Sequence, residues 1–177
     1  DESKYRLDVQ VRAYDEGVAF RYFLPEHPDA IFHKVVGDLT DYAFPQGTMA
    51  WSEQWAQAPF VYSDVDSIST VVERPLTLLL PSGKWAALLD ADVDDWCLTK
   101  FRRRPGLNST LESVMYSPVD IVTYCSAPWK LIMLADTPGE LIEHNYMVDN
   151  LNPAPEEGKD FSWVKPGKIM RCTKLTT

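Results

Sequence analysis

The run Tyr5-Arg6-Leu7-Asp8-Val9-Gln10-Val11-Arg12-Ala13-Tyr14-Asp15-Glu16-Gly17-Val18-Ala19-Phe20-Arg21-Tyr22-Phe23-Leu24 decides the fold class. Tyr5, Leu7, Val9, Val11 and Ala13 alternate with Arg6, Asp8, Gln10 and Arg12, the period of two that sends successive side chains to opposite faces of a strand. The apolar face is expected to be buried and the polar one wet. Asp15-Glu16-Gly17 supplies turn chemistry, and Val18, Phe20, Tyr22 and Leu24 resume the alternation until Pro25 ends it. Two alternating runs joined by a short turn predict a β-hairpin.

The same grammar recurs downstream. Residues 76–80 and 85–89 flank Pro81-Ser82-Gly83-Lys84, which predicts a second hairpin, buried on both faces. Residues 69–72, 98–103, 111–115, 119–123 and 129–135 add strands at sandwich-like spacing. The segment 26–67 is irregular and reads as long loop with short strands. Thr137-Pro138-Gly139-Glu140 places Thr at a helix cap, Pro at the first helical position and Glu three residues past the cap. A short helix near 138–145 is expected, with Leu141, Ile142 and Tyr146 facing inward. The Pro-rich stretch that begins Leu151-Asn152-Pro153-Ala154-Pro155 reads as a linker. The expected fold is mainly β, an antiparallel β-sandwich over 1–150 with one short helix, followed by a linker over 151–177.

Composition narrows the function classes. A chain of 177 residues, 45% hydrophobic, has room for one core, and 12% aromatic residues suit half-buried pleated surfaces. The net charge is −9 and Arg102-Arg103-Arg104 is the one basic run, which argues against nucleic acid as a partner. No stretch approaches the roughly 20 apolar residues of a membrane helix. Cys97, Cys125 and Cys172 lack metal-site spacing and read as free thiols. The sequence opens at Asp1 without a leader, so any targeting signal is expected to be cleaved or to lie elsewhere.

Candidate chemistry is sparse. Asp90-Ala91-Asp92-Val93-Asp94-Asp95-Trp96 begins like a calcium loop but has Asp95 where the sharp turn needs Gly and Phe101 where a bidentate Glu is needed, so it reads as a solvated connection. His27, His33 and His144 are isolated, and no catalytic carboxylate pair stands out among the 26 acidic residues. Asn108-Ser109-Thr110 matches a glycosylation pattern too short to carry weight. Trp51, Trp55, Phe60 and Tyr62, interspersed with Glu53, Gln54 and Gln57, remain. These rings could stack on sugar faces while the polar groups bond hydroxyls, or they could pin a long loop to the sandwich. Trp51, Glu53, Trp55, Phe60 and Tyr62 are therefore the candidate carbohydrate-binding residues, and no residue is nominated as catalytic or as a metal ligand.

Several stretches resemble the N-terminal domain of family 97 glycoside hydrolases, a group of bacterial α-glucosidases and α-galactosidases. Tyr14-Asp15-Glu16-Gly17-Val18-Ala19-Phe20-Arg21-Tyr22 is similar to that family's hairpin, and the loop around Ala50-Trp51 to an aromatic segment. Leu89-Asp90-Ala91-Asp92-Val93-Asp94-Asp95-Trp96 looks like a third. The most specific likeness is Ala127-Pro128-Trp129-Lys130-Leu131-Ile132-Met133, with Asp136, Asn150-Leu151-Asn152-Pro153 and Ser162-Trp163-Val164-Lys165-Pro166-Gly167-Lys168. The resemblance implies a galactose-mutarotase-like supersandwich packed on a (β/α)₈ barrel, with the catalytic carboxylates in the barrel and the first strands and the barrel outside this chain. It implies a periplasmic or extracellular bacterial protein, an oligosaccharide substrate reached through the full-length enzyme, and a homodimer formed through an exposed docking face. No cofactor is expected in this chain. Calcium belongs to the full-length enzyme in calcium-dependent members, where a loop glutamate helps hold it; here Gln57-Ala58-Pro59-Phe60 occupies that neighbourhood and Glu53 is the nearby acid. The alternative is a free-standing carbohydrate-binding or interaction module.

Overall fold

The structure, a computed structural model, describes residues 5–28, 31–154, 159–165 and 167–168. The opening hairpin forms as expected: β1 (Asp8–Tyr14) pairs antiparallel with β2 (Gly17–Leu24), Tyr14 opposite Gly17 across a two-residue turn. Gly17 is required by space, because a Cβ there would lie 2.2 Å from the Ile132 carbonyl oxygen. The irregular region yields the short strands β3 (Phe32–Val35), β4 (Asp41–Ala43), β5 (Met49–Ser52) and β6 (Val61–Asp64), followed by a 3₁₀ turn, Val65–Ser67. The second hairpin is β7 (Leu76–Leu79) and β8 (Trp85–Ala91). Then come β9 (Thr99–Arg103), β10 (Thr110–Met115), β11 (Val119–Val122), β12 (Cys125–Ser126) and β13 (Trp129–Ala135). Of the strand expected at 69–72, only a bridge between Val72 and Phe101 forms.

The large sheet runs β1-β2-β13-β8-β7-β5-β6, with β12 also on β2; β4-β10-β9 form a second sheet and β11-β3 a third pair. Cross-strand partners share a face, so Phe20, Ile132, Leu88, Leu76, Leu78 and Ala50 point one way. They pack with Tyr42, Phe101 and Leu111 of the three-stranded sheet into one core. The opposite face carries Ala19, Leu131, Met133, Ala87 and Trp129, covered by Met147 and Leu151. The result is the expected antiparallel β-sandwich, with helical cover on the outer face of its larger sheet.

Two expectations are corrected. The apolar side of β1 is the exposed one: Val9 and Val11 are 57% and 62% accessible, while Arg12 on the other side reaches the Trp129 ring at 4.8 Å. Val11 sits opposite Phe20. It therefore shares the core-facing side, but at the sheet edge, where the three-stranded sheet no longer covers it. The short helix expected near 138–145 forms as α1 (Pro138–Glu143), but of its expected inward residues only Leu141 packs on the core, and a second helix, α2 (Tyr146–Leu151), follows. Thr137 accepts from the Glu140 N–H at 3.4 Å and Glu140 reaches back to the Asp136 N–H at 2.8 Å, which fulfils the capping signal. The break at His144-Asn145 resets the phase, so Met147 and Leu151 go inward while Ile142 is 78% exposed. Leu151, the residue at which the linker is expected to begin, is buried at the end of α2, and much of 155–177 lies outside the described residues.

The groove beside Trp55

The candidate aromatics lie on the β5–β6 hairpin and its loop, and strand alternation divides them. Trp51 and Tyr62 are cross-strand partners on the outer face, with ring centroids 4.1 Å apart. Trp85 of β8 stacks on Trp51 from the other side at 5.1 Å and 25°. The three rings thus form a ladder over β7. Each inner ring face is occupied by its neighbour, so the Trp51 ring has no open face for a sugar.

Trp55 behaves differently. Its carbonyl accepts from Gln57 N–H at 2.6 Å and Ala58 N–H at 2.8 Å, a tight turn that leaves the ring 57% exposed. It borders a groove of about 290 Å³ whose other walls include Ser52, Gln54, Ser63, Ser69 and Thr70. Ser52 and Ser63 line it because they alternate with Trp51 and Tyr62 along their strands, so the hairpin that shields one face offers hydroxyls on the other. Phe60 is exposed but outside the groove, and Glu53 is tied through its backbone, its carbonyl accepting from Glu73 N–H at 2.8 Å. Of the five candidates, the structure places Trp55 in the groove, Trp51 and Tyr62 in the ladder, and Glu53 and Phe60 in neither.

The groove wall at 67–72 is fixed at both ends. Asp64 caps the 3₁₀ turn by accepting from Asp66 N–H at 2.7 Å, and the Asp66 carboxylate in turn accepts from Ser109 N–H at 2.6 Å. At the far end Val72 and Phe101 exchange backbone bonds of 2.7 and 3.0 Å. A second depression, about 350 Å³, shares Ile68, Ser69 and Thr70 with the first and runs on to Arg102 and Arg103. Those guanidiniums are engaged: Arg102 with Glu112 at 2.5 Å and Arg103 with Asp66 at 3.6 Å. Burial works against charge on Glu112, but hydrogen bonds from Arg102 and Arg104 outweigh it and hold the carboxyl below its usual range. Sequence reasoning missed Ser63, Ser69, Thr70 and Trp85. Hydroxyl residues are common in loops and carry no periodic signal, and Trp85 reads as one more strand residue.

The acidic run is structural rather than solvated at its start. Asp90 is interior, paired with Arg74, and accepts from Thr99 Oγ1 at 2.6 Å; Asp92 accepts from Arg21 at 3.0 Å. Asp92 and Asp95 have φ of 56° and 48°, the left-handed region that Asp tolerates better than most residues. Among the described residues no group of three or more His, Cys, Asp or Glu is placed together. Cys97 and Cys125 are free thiols, and Cys172 is outside the described residues.

The sequence profile described as glycosyl-hydrolase 97 N-terminal matches residues 1–154. The chain belongs to this family. Its glycosyl-hydrolase 97 N-terminal sequence is 24% identical over 169 residues to a probable retaining alpha-galactosidase of Streptomyces bingchenggensis (strain BCW-1), covering 93% of this chain and 26% of that protein. Its fold is similar to that of a glycoside hydrolase family 97 enzyme of Pseudoalteromonas sp. strain K8 solved with acarbose, with a TM-score of 0.81, 21% identity, and coverage of 91% of this chain and 25% of that one. A beta-arabinopyranosidase is also similar, with a TM-score of 0.76 and 18% identity, over 91% of this chain and 30% of that one. The glycosyl-hydrolase 97 N-terminal domain thus spans about a quarter of the length of the relatives it matches. No described helix is long and apolar enough to cross a membrane.

Proposed function

We propose that this domain shapes the substrate cleft of a glycoside hydrolase, with the groove beside Trp55 as the surface that meets the oligosaccharide. The carrying observation is the exposed Trp55 ring standing over walls that present Ser52, Ser63, Ser69 and Thr70. An aromatic face suits the C–H side of a pyranose, and hydroxyls and the Gln54 amide suit its rim. The chemistry, hydrolysis of α-glycosidic bonds, belongs in this reading to a (β/α)₈ barrel carried by a longer protein, on which the sandwich packs and toward which 151–177 lead. Calcium, where such an enzyme needs it, takes most of its 6 to 8 oxygens from that barrel. A periplasmic or extracellular bacterial setting, and self-association through an exposed apolar face, belong to the same proposal.

The test is NMR titration of the chain with a maltooligosaccharide and with an α-galactoside. Millimolar binding, about 4 kcal/mol, that shifts the Trp55 indole and is lost in Trp55→Ala is expected of a surface that completes its cleft only beside the barrel. Shifts confined to other faces would sink the reading. Tight saturable binding would favour the free-standing module instead.

A further inference from the structure

We infer that the depression beside Arg102 and Arg103 is an anion subsite, and that the saccharide lying on Trp55 is an acidic one whose carboxylate or sulfate group enters it. This rests on the Trp55 groove as the saccharide surface and names the class of sugar that the surface takes. The depression, about 350 Å³, shares Ile68, Ser69 and Thr70 with the groove, so a single ligand can cross the common wall from the indole to the guanidiniums. Its lining presents two exposed arginines and no acidic side chain, in a chain whose net charge is −9.

Strand pairing opens the space. The bridge between Val72 and Phe101 is isolated, so beyond it the segment 69–71 and Arg102-Arg103 part and leave a gap between them. Arg104 N–H donates to the Thr110 carbonyl, which turns the backbone groups of the even-numbered residues of β9 toward β10 and those of the odd-numbered ones outward. The Arg103 N–H therefore faces the gap. Both guanidiniums are positioned through Nε alone: Arg102 Nε donates to Glu112, and Arg103 Nε lies 3.6 Å from Asp66, beyond hydrogen-bond reach. The Asp66 carboxylate already accepts from Ser109 N–H. The terminal nitrogens, which carry most of an Arg side chain's N–H donors, take no part in those contacts. Their planar fork matches the paired oxygens of a carboxylate or a sulfate, and the Ser69 hydroxyl on the shared wall adds a donor.

NMR titration of the 177-residue chain with maltotriose, α-linked trigalacturonate and sulfated maltotriose at low salt is the test. One of the two anionic sugars is expected to bind about tenfold more tightly than maltotriose, the scale of one charge-assisted hydrogen bond, and to shift both the Trp55 indole and the Arg103 amide. Which of them binds better tells carboxylate from sulfate. The advantage should shrink as salt is added, vanish in Arg103→Gln and persist in Arg103→Lys. Maltotriose binding should be the same in both variants, because Arg103 does not line the Trp55 groove. Should Arg103→Gln fail to fold, the anionic advantage and its salt dependence in the wild type decide alone. Trp55 shifts with equal affinity for neutral and anionic sugars overturn the subsite and leave the groove standing, as does an advantage that survives Arg103→Gln. An Arg103-dependent advantage with a silent Trp55 indole overturns the groove, and with it the single ligand spanning both depressions. A chain that binds none of the three sugars overturns both.

Discussion

The carboxylate of Asp66 accepts a 2.6 Å hydrogen bond from the backbone N–H of Ser109, 43 residues further on. Ser109 has a φ of 49°, a conformation few non-glycine residues adopt, and Asp66 holds the turn in it. The contact ties the groove wall, which starts at the end of the 3₁₀ turn, to the connection between β9 and β10. Asp66→Ala should therefore cost roughly 1.5–3 kcal/mol in urea unfolding, the range for a bond with a charged acceptor. Asp66→Asn should cost less, since its amide oxygen still accepts.

The aromatic residues of one hairpin should separate by function. Trp51→Ala removes the middle ring of the ladder and should destabilise the domain by about 2 kcal/mol, less than a fully buried Trp would because the site is half-buried. Trp55→Ala should change stability by under about 0.5 kcal/mol while abolishing sugar-induced shifts. Paired urea curves and titrations of the two variants check this.

Lys130, buried in β13, bonds the Asp38 carboxylate, which also accepts from Thr40 N–H at 3.0 Å. Burial disfavours the charged carboxylate, but Lys130 and the Thr40 bonds prevail and hold Asp38 below the usual carboxylate range. A depressed native pKa means that the unfolded state binds more protons as the pH falls. The contribution is thus complete above the ordinary Asp value of about 3.9 and is lost as the pH drops toward the lower native value. Glu112 acts in the same direction. Urea midpoints should fall steeply below about pH 4 in the wild type and less steeply in Asp38→Asn. At neutral pH that variant should lose roughly 3 kcal/mol, because it leaves Lys130 buried without its counter-charge.

Gly17→Ala should destabilise the chain by about 1–3 kcal/mol, as overpacking does, since the added methyl would meet the Ile132 carbonyl oxygen at 2.2 Å and β2 would have to move away from β13. The strain is one of space, so Gly17→Ser should fare no better. Thermal melts of both variants measure it.

Much of the sandwich was legible along the chain. The opening hairpin, the β7–β8 hairpin, the strand at 129–135 and the capping signal at Thr137 all depend on neighbours within a few residues, where period and turn chemistry act directly. The likeness to the family rests on short runs read in order, and the match over 1–154 agrees with it. What the sequence could not carry was cover. Val9 and Val11 alternate as buried residues do, but whether a second layer lies over them depends on how far β4, β10 and β9 extend across the larger sheet. Likewise Trp51 and Trp55 are equivalent in composition. One becomes a ladder rung and the other a groove wall, because pairing with Tyr62 and stacking by Trp85 fix the first, while a tight turn lifts the second into solvent. Local pattern determined which strands and caps form; contacts between residues distant in sequence decided which of their faces are closed and which remain exposed.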